Sequence, residues 1–173
     1  PGFVNGFMVT GVHTTRYSKN YQGLGVIRSR AYQQYEIPVK ARFVNKGSYS
    51  SYKLGARYNE DTAVRILSRE SADPSVRPKL LVKVDGSYQT FEACGDMTIR
   101  GGSNRYRNYG DEQEMEVRMF GEFQGEKTAD TVLNFDLTGL STSCDVTDAK
   151  LLVTAKLEEP YAKSKELLVY LEG

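Results

Sequence analysis

Apolar residues recur at every second position along most of this chain, which is the period of a half-buried β-strand. Tyr35, Ile37, Val39, Ala41 and Phe43 alternate with Glu36, Lys40 and Arg42. Tyr52, Leu54, Ala56 and Tyr58 form a second run, Val64 and Ile66 flank Arg65, and Leu80, Val82 and Val84 form a fourth. Met97 and Ile99, then Met115, Val117 and Met119, then Leu133, Phe135 and Leu137 continue the pattern. Ala149, Leu151, Val153, Ala155 and Leu157, followed by Leu167, Val169 and Leu171, complete it. Between the runs lie Asn45-Lys46-Gly47-Ser48, Asp85-Gly86-Ser87, Gly101-Gly102-Ser103-Asn104 and Tyr109-Gly110-Asp111, which carry the residues that turns require. No long stretch holds the i, i+3, i+4, i+7 apolar stripe of a helix. About ten short strands with one apolar face each predict an all-β fold, two antiparallel sheets packed as a β-sandwich of jelly-roll type. Pro38, inside a regular run, predicts an edge strand, where its missing N–H costs no ladder bond.

Composition narrows the chemistry. With 173 residues there is room for one domain. Hydrophobic residues at 39% and charged ones at 26% describe a folded chain. Lys+Arg number 23 against 22 Asp+Glu, and this balance argues against a nucleic-acid partner. No apolar run approaches the roughly 20 residues of a membrane span, and no charged-then-apolar leader is visible, as in a mature, trimmed or excerpted chain. His13 is the single histidine, too few for the usual zinc set, and no Gly-x-Ser-x-Gly elbow accompanies it for a Ser–His–Asp triad. Cys94 and Cys144 are the only thiols and form no Cys-x-x-Cys motif. They fit one disulfide in an oxidising compartment, the alternative being two reduced cysteines in a cytosolic protein.

Two stretches resemble a known family. Asp96-Met97-Thr98-Ile99-Arg100-Gly101-Gly102, Asn108-Tyr109-Gly110, Leu133-Asn134-Phe135-Asp136-Leu137-Thr138-Gly139-Leu140 and Asp148-Ala149-Lys150-Leu151 follow one another in that order. Residues 90–157 thereby resemble the front half of DNRLRE-type jelly-roll domains, which overlap with carbohydrate-binding module family 96. Residues 35–84 are similar to the back half, through Ser68-Arg69-Glu70 and Arg77-Pro78-Lys79-Leu80. The halves stand in swapped order, back half over 1–85 and front half over 86–173. A circularly permuted domain and an out-of-phase repeat of a tandem or filament array both produce that order. In the second case a neighbouring copy completes each half, and head-to-tail exchange propagates as a filament.

The resemblance implies an extracellular, non-catalytic protein. Its leading function is then structural, as a fibre or surface subunit joined to copies of itself by shared strands. The alternative is a module for an acidic, alginate-like polysaccharide. Three groups of residues are candidates for these roles. Arg100, Arg105, Tyr106, Arg107 and Tyr109 combine guanidinium clamps for carboxylates with aromatic faces for sugar rings, or else form Arg–Glu pairs with Asp111, Glu112 and Glu114. His13, Arg16, Tyr17, Lys19, Tyr21, Arg28, Arg30 and Tyr32 read as a basic, aromatic loop suited to assembly or binding. Asp96, Asp111, Glu112, Asp136 and Asp145 are possible ligands of a structural calcium of the kind jelly-roll sugar binders carry, with Asp96 and Asp136 foremost. No spacing flags a carboxylate pair for glycoside hydrolysis.

Overall fold

In the computed structural model the described residues are 21–56, 61–100, 112–119, 128–158 and 163–171. They form eleven strands: β1 (Gly23–Ile27), β2 (Gln33–Val39), β3 (Tyr49–Gly55), β4 (Thr62–Leu67), β5 (Lys79–Val84), β6 (Ser87–Glu92), β7 (Gly95–Arg100), β8 (Glu114–Met119), β9 (Ala129–Asp136), β10 (Val146–Leu157) and β11 (Lys165–Leu171). Every pairing is antiparallel. The only helical pieces among the described residues are short 3-10 turns at Ala41–Phe43 and Pro74–Val76. The expected strand therefore stops at Val39, and Ala41 and Phe43 belong to the turn after it.

The all-β expectation holds, but the sheets do not stay separate. Eight strands close on themselves in the order β2-β1-β11-β3-β9-β8-β4-β10 and back to β2, making a β-barrel. Leu54, Leu80, Leu133, Phe135, Leu151 and Val169 pack inside, with the Tyr52 and Phe135 rings 6.1 Å apart. Pro38 sits opposite Lys150 of β10, and on its other side β2 meets β1 only through Val39.

Two of the eight junctions differ from the rest: among the described residues, β1–β2 and β8–β9 each show one residue pair, Gly23 with Val39 and Arg118 with Ala129. These seams are where a two-sheet arrangement would have lain open. All six remaining junctions join a strand from before residue 85 to one from after residue 86.

Three strands lie off the ring. β7 pairs with β9 alone. β5 pairs with the first half of β10, whose second half pairs with β4. β6 pairs with β5 and, among the described residues, ends the sheet. Asp85 and Gly86 join β5 to β6 with φ of 51° and 82°, the left-handed pair of a type I′ hairpin turn. No helix among the described residues is long and apolar enough to cross a membrane.

Candidate functional site

The seam between β8 and β9 is polar. Across three strands, Lys156, Arg65 and Glu116 share one rung, so their side chains leave the sheet on one face, opposite the core residues Ala155, Ile66 and Met115. Glu116 is only 2% exposed and meets three guanidinium groups: Arg118 at 2.9 Å, Arg65 at 3.8 Å and Arg100 in direct contact. Its backbone is held by two threonines that face each other across β7 and β9. The Glu116 N–H donates to Thr98 Oγ1 (3.2 Å), and Thr131 Oγ1 donates to the Glu116 carbonyl (2.9 Å). Side chains thus tie β8 to β7 and β9 beside the one described backbone pair.

Glu158 extends the cluster to Arg65 (3.0 Å) and Arg118 (3.6 Å). Burial pushes the Glu158 carboxyl up, but the two arginines outweigh it and hold the group below the usual carboxylate range. Tyr32 donates its hydroxyl to Glu114 beneath the Lys156 ammonium, which lies 4.8 Å from its ring. Burial and then the Glu114 carboxylate hold that phenol far above its ordinary value. Beside this cluster is a cleft of about 410 Å³ lined by Arg65, Leu67, Ser71, Glu112, Gln113 and Glu114. Glu112 is paired with Arg100 and Glu114 with Tyr32, so its carboxylates are held in internal contacts.

The other seam is made of glycine. A Cβ on Gly23 would lie 2.3 Å from the Pro38 carbonyl oxygen, and one on Gly25 would lie 2.6 Å from Ile37 Cγ1. Only hydrogen at these positions lets β1 approach β2 so closely.

Asp96 stands on β7 directly opposite Leu133 and is buried. One carboxylate oxygen accepts from the Arg69 N–H at 2.7 Å; the other has no hydrogen-bond partner. Desolvation raises its pKa to about 6, against the lowering pull of the Arg69 amide and charge. Asp136 is exposed and accepts from the Thr138 amide and hydroxyl, which hold its pKa low. The expected calcium pair is not formed, because Asp96 shares a face with Leu133 while Asp136, three positions along the alternating strand, points to the opposite face. Among the described residues no group of three or more His, Cys, Asp or Glu gathers for a metal.

The expected disulfide is absent: Cys94 and Cys144 are both free. Cys94 lies beside β9, where its amide and thiol both reach the Asn134 carbonyl, at 2.8 and 3.3 Å. Cys144 belongs to the turn after β9, packs on the core, and gives its carbonyl to Lys46 Nζ at 2.6 Å.

Of the Arg–Tyr group, Arg100 is committed to Glu112 and Glu116. Arg105, Tyr106, Arg107 and Tyr109 lie outside the described residues, as do His13, Arg16, Tyr17, Lys19 and Asp111. Tyr21, Arg28, Arg30 and Tyr32 do not form one continuous loop, because β1 runs between Tyr21 and Arg28. Arg28 and Arg30 are exposed, and Tyr32 joins the polar cluster.

The feature that alternation did not reveal is β6. Ser87, Tyr88, Gln89 and Thr90 are exposed on both faces. The two-residue turn makes Val84 and Ser87 a hydrogen-bonded pair, and the same pattern recurs at Ala93, whose N–H donates to the Pro78 carbonyl at 2.9 Å. The N–H and C=O groups of Tyr88, Thr90 and Glu92 therefore face away from β5, toward the open edge. The Asp85-Gly86 pair was the one available sequence signal for this strand. No protein-family model, curated protein or solved structure matches this chain.

Proposed function

We propose that this chain is a non-catalytic structural β-domain of an extracellular assembly, joined to its neighbours by strand addition. The observation that carries this reading is the edge of β6 that no strand among the described residues pairs with. Natural sheets commonly guard such an edge with lysine, proline, a bulge or a covering segment. β6 has none of the first three, it is extended and exposed, and Glu92 is its single charge. Tyr, Thr and Phe give it the composition that favours sheet pairing.

The resemblance of residues 35–84 and 90–157 to DNRLRE-type domains supports the extracellular setting. The polar cluster supports the non-catalytic reading, since its carboxylates are tied to arginines or tyrosine and serve the ring's closure. The test is light scattering coupled to size exclusion over a wide concentration range, on the wild type and on Thr90→Pro. Proline at 90 removes only an outward N–H and spares the bonds to β5. The wild type is expected to gain mass with concentration and the variant to stay at one chain. A wild type that remains single at every concentration overturns the reading.

A further inference from the structure

We infer that the strand added to β6 is β6 of a second copy, antiparallel and two-fold symmetric about Thr90. This inference rests on the assembly reading above and names its partner. A two-fold axis normal to the sheet keeps each face continuous, so paired positions must have an even sum. Two registers then use the exposed stretch. Centring on Thr90 sets Tyr88 opposite Glu92 and Thr90 opposite itself, so every outward N–H and C=O of Tyr88, Thr90 and Glu92 finds a partner. Centring on Gln89 pairs Tyr88 with Thr90 and leaves Glu92 against the Gly86 turn. The first register satisfies the whole edge and the second does not.

Charge favours the same partner. Tyr88 sits among Lys83 and Lys150, whose ammonium nitrogens lie 5.7 and 4.8 Å from its ring, and it donates to Asp148. In the Thr90 register the Glu92 carboxylate of one copy comes beside the other copy's Tyr88, toward these two lysines and the single Asp148. Within its own copy Glu92 pairs with Arg77 at 3.2 Å. No like charges oppose each other across the axis, and the favourable meeting occurs twice. The contact is isologous, so it closes as a pair, and any longer assembly adds a second contact elsewhere.

Amide hydrogen exchange by NMR, on dilute and concentrated wild-type protein, tests the register. The amides of Tyr88, Thr90 and Glu92 are expected to slow together as mass doubles, while those of Ser87, Gln89 and Phe91 change little. In a background carrying Cys94→Ser and Cys144→Ser, Thr90→Cys is expected to oxidise to a two-chain species and Gln89→Cys is not. Facing Cα atoms in the Thr90 register stand about 5.5 Å apart, within disulfide reach, whereas two Gln89 positions are offset beyond about 7 Å. If Thr90→Pro abolishes association but the Glu92 amide stays fast and Gln89→Cys is the variant that crosslinks, the register is overturned and strand addition survives. Growth beyond two chains through β6 overturns the two-fold pair. If Thr90→Pro leaves association intact, strand addition at β6 fails as well.

Discussion

The barrel closes twice, by opposite means. At β1–β2 the strands meet because glycine at 23 and 25 removes the atoms that would hold them apart. At β8–β9 Glu116, Thr98, Thr131 and three arginines add side-chain contacts to the one backbone pair among the described residues. A seam made by subtraction depends on steric clearance and is indifferent to pH and salt. A seam made by addition depends on charge and responds to both.

Substitutions at each seam can separate these two modes. The largest effect is expected from Glu116→Ala, which leaves Arg65, Arg100 and Arg118 without their shared carboxylate. Breaking a buried pair costs about 3–5 kcal/mol, and the lower end applies because these arginines keep 20–30% exposure. Urea unfolding should show that loss, and the variant's stability should depend less on salt than the wild type's. Gly23→Ala is expected to cost about 2–3 kcal/mol through overpacking against the Pro38 carbonyl, with salt dependence unchanged.

Asp96→Asn sharpens the contrast from the other direction. Asp96 lies on the same face of β7 as Thr98. Its folded pKa of about 6 exceeds the unfolded 3.8, so the folded state holds the proton more tightly. Wild-type stability should therefore fall as pH rises from about 4 to about 6. Asparagine can still accept from the Arg69 amide, and it should raise stability at pH 7 by on the order of 2 kcal/mol. Thermal melts at pH 4 and pH 7 should show the gain only at the higher pH. A gain of equal size at both would show that the Asp96 proton does not set this pH dependence. The smallest effect on the single chain is expected from Thr90→Pro, under about 1 kcal/mol, since β6 belongs to neither seam. Denaturation of the dilute protein checks it.

The sequence made some parts of this arrangement visible and hid others, for identifiable reasons. Alternation marks a strand by its one apolar face, so Tyr52 and Leu54, Leu80 to Val84, Leu133 to Leu137 and Ala149 to Leu157 were found where the ring buries them. β1 escapes the pattern because the glycines that close the seam also interrupt the apolar alternation, and β6 because only Phe91 of its residues packs against the core. The polar cluster was hidden for another reason. Arg65, the Glu116 and Arg118 pair, and Glu158 are far apart along the chain and look like ordinary outward residues of β4, β8 and the end of β10. Arg100, expected either to clamp a polysaccharide or to pair with nearby carboxylates, lies against Glu112 and Glu116 of the same chain. Asp96 and Asp136 look alike in sequence, and only strand register shows that they point apart.

The alternation of early and late strands around the ring has one more consequence. Apart from the β1–β2 and β8–β9 seams, each junction of the barrel joins a strand from before Asp85 to one from after Gly86. A peptide bond cleaved in that exposed turn would leave an N-terminal piece with almost no sheet of its own and a C-terminal piece with little beyond the β7–β9 ladder, yet each would template most of the other. Such a nicked molecule should behave as a split pair, silent apart and structured on mixing, with its reassembly readable by any reporter fused at the cut.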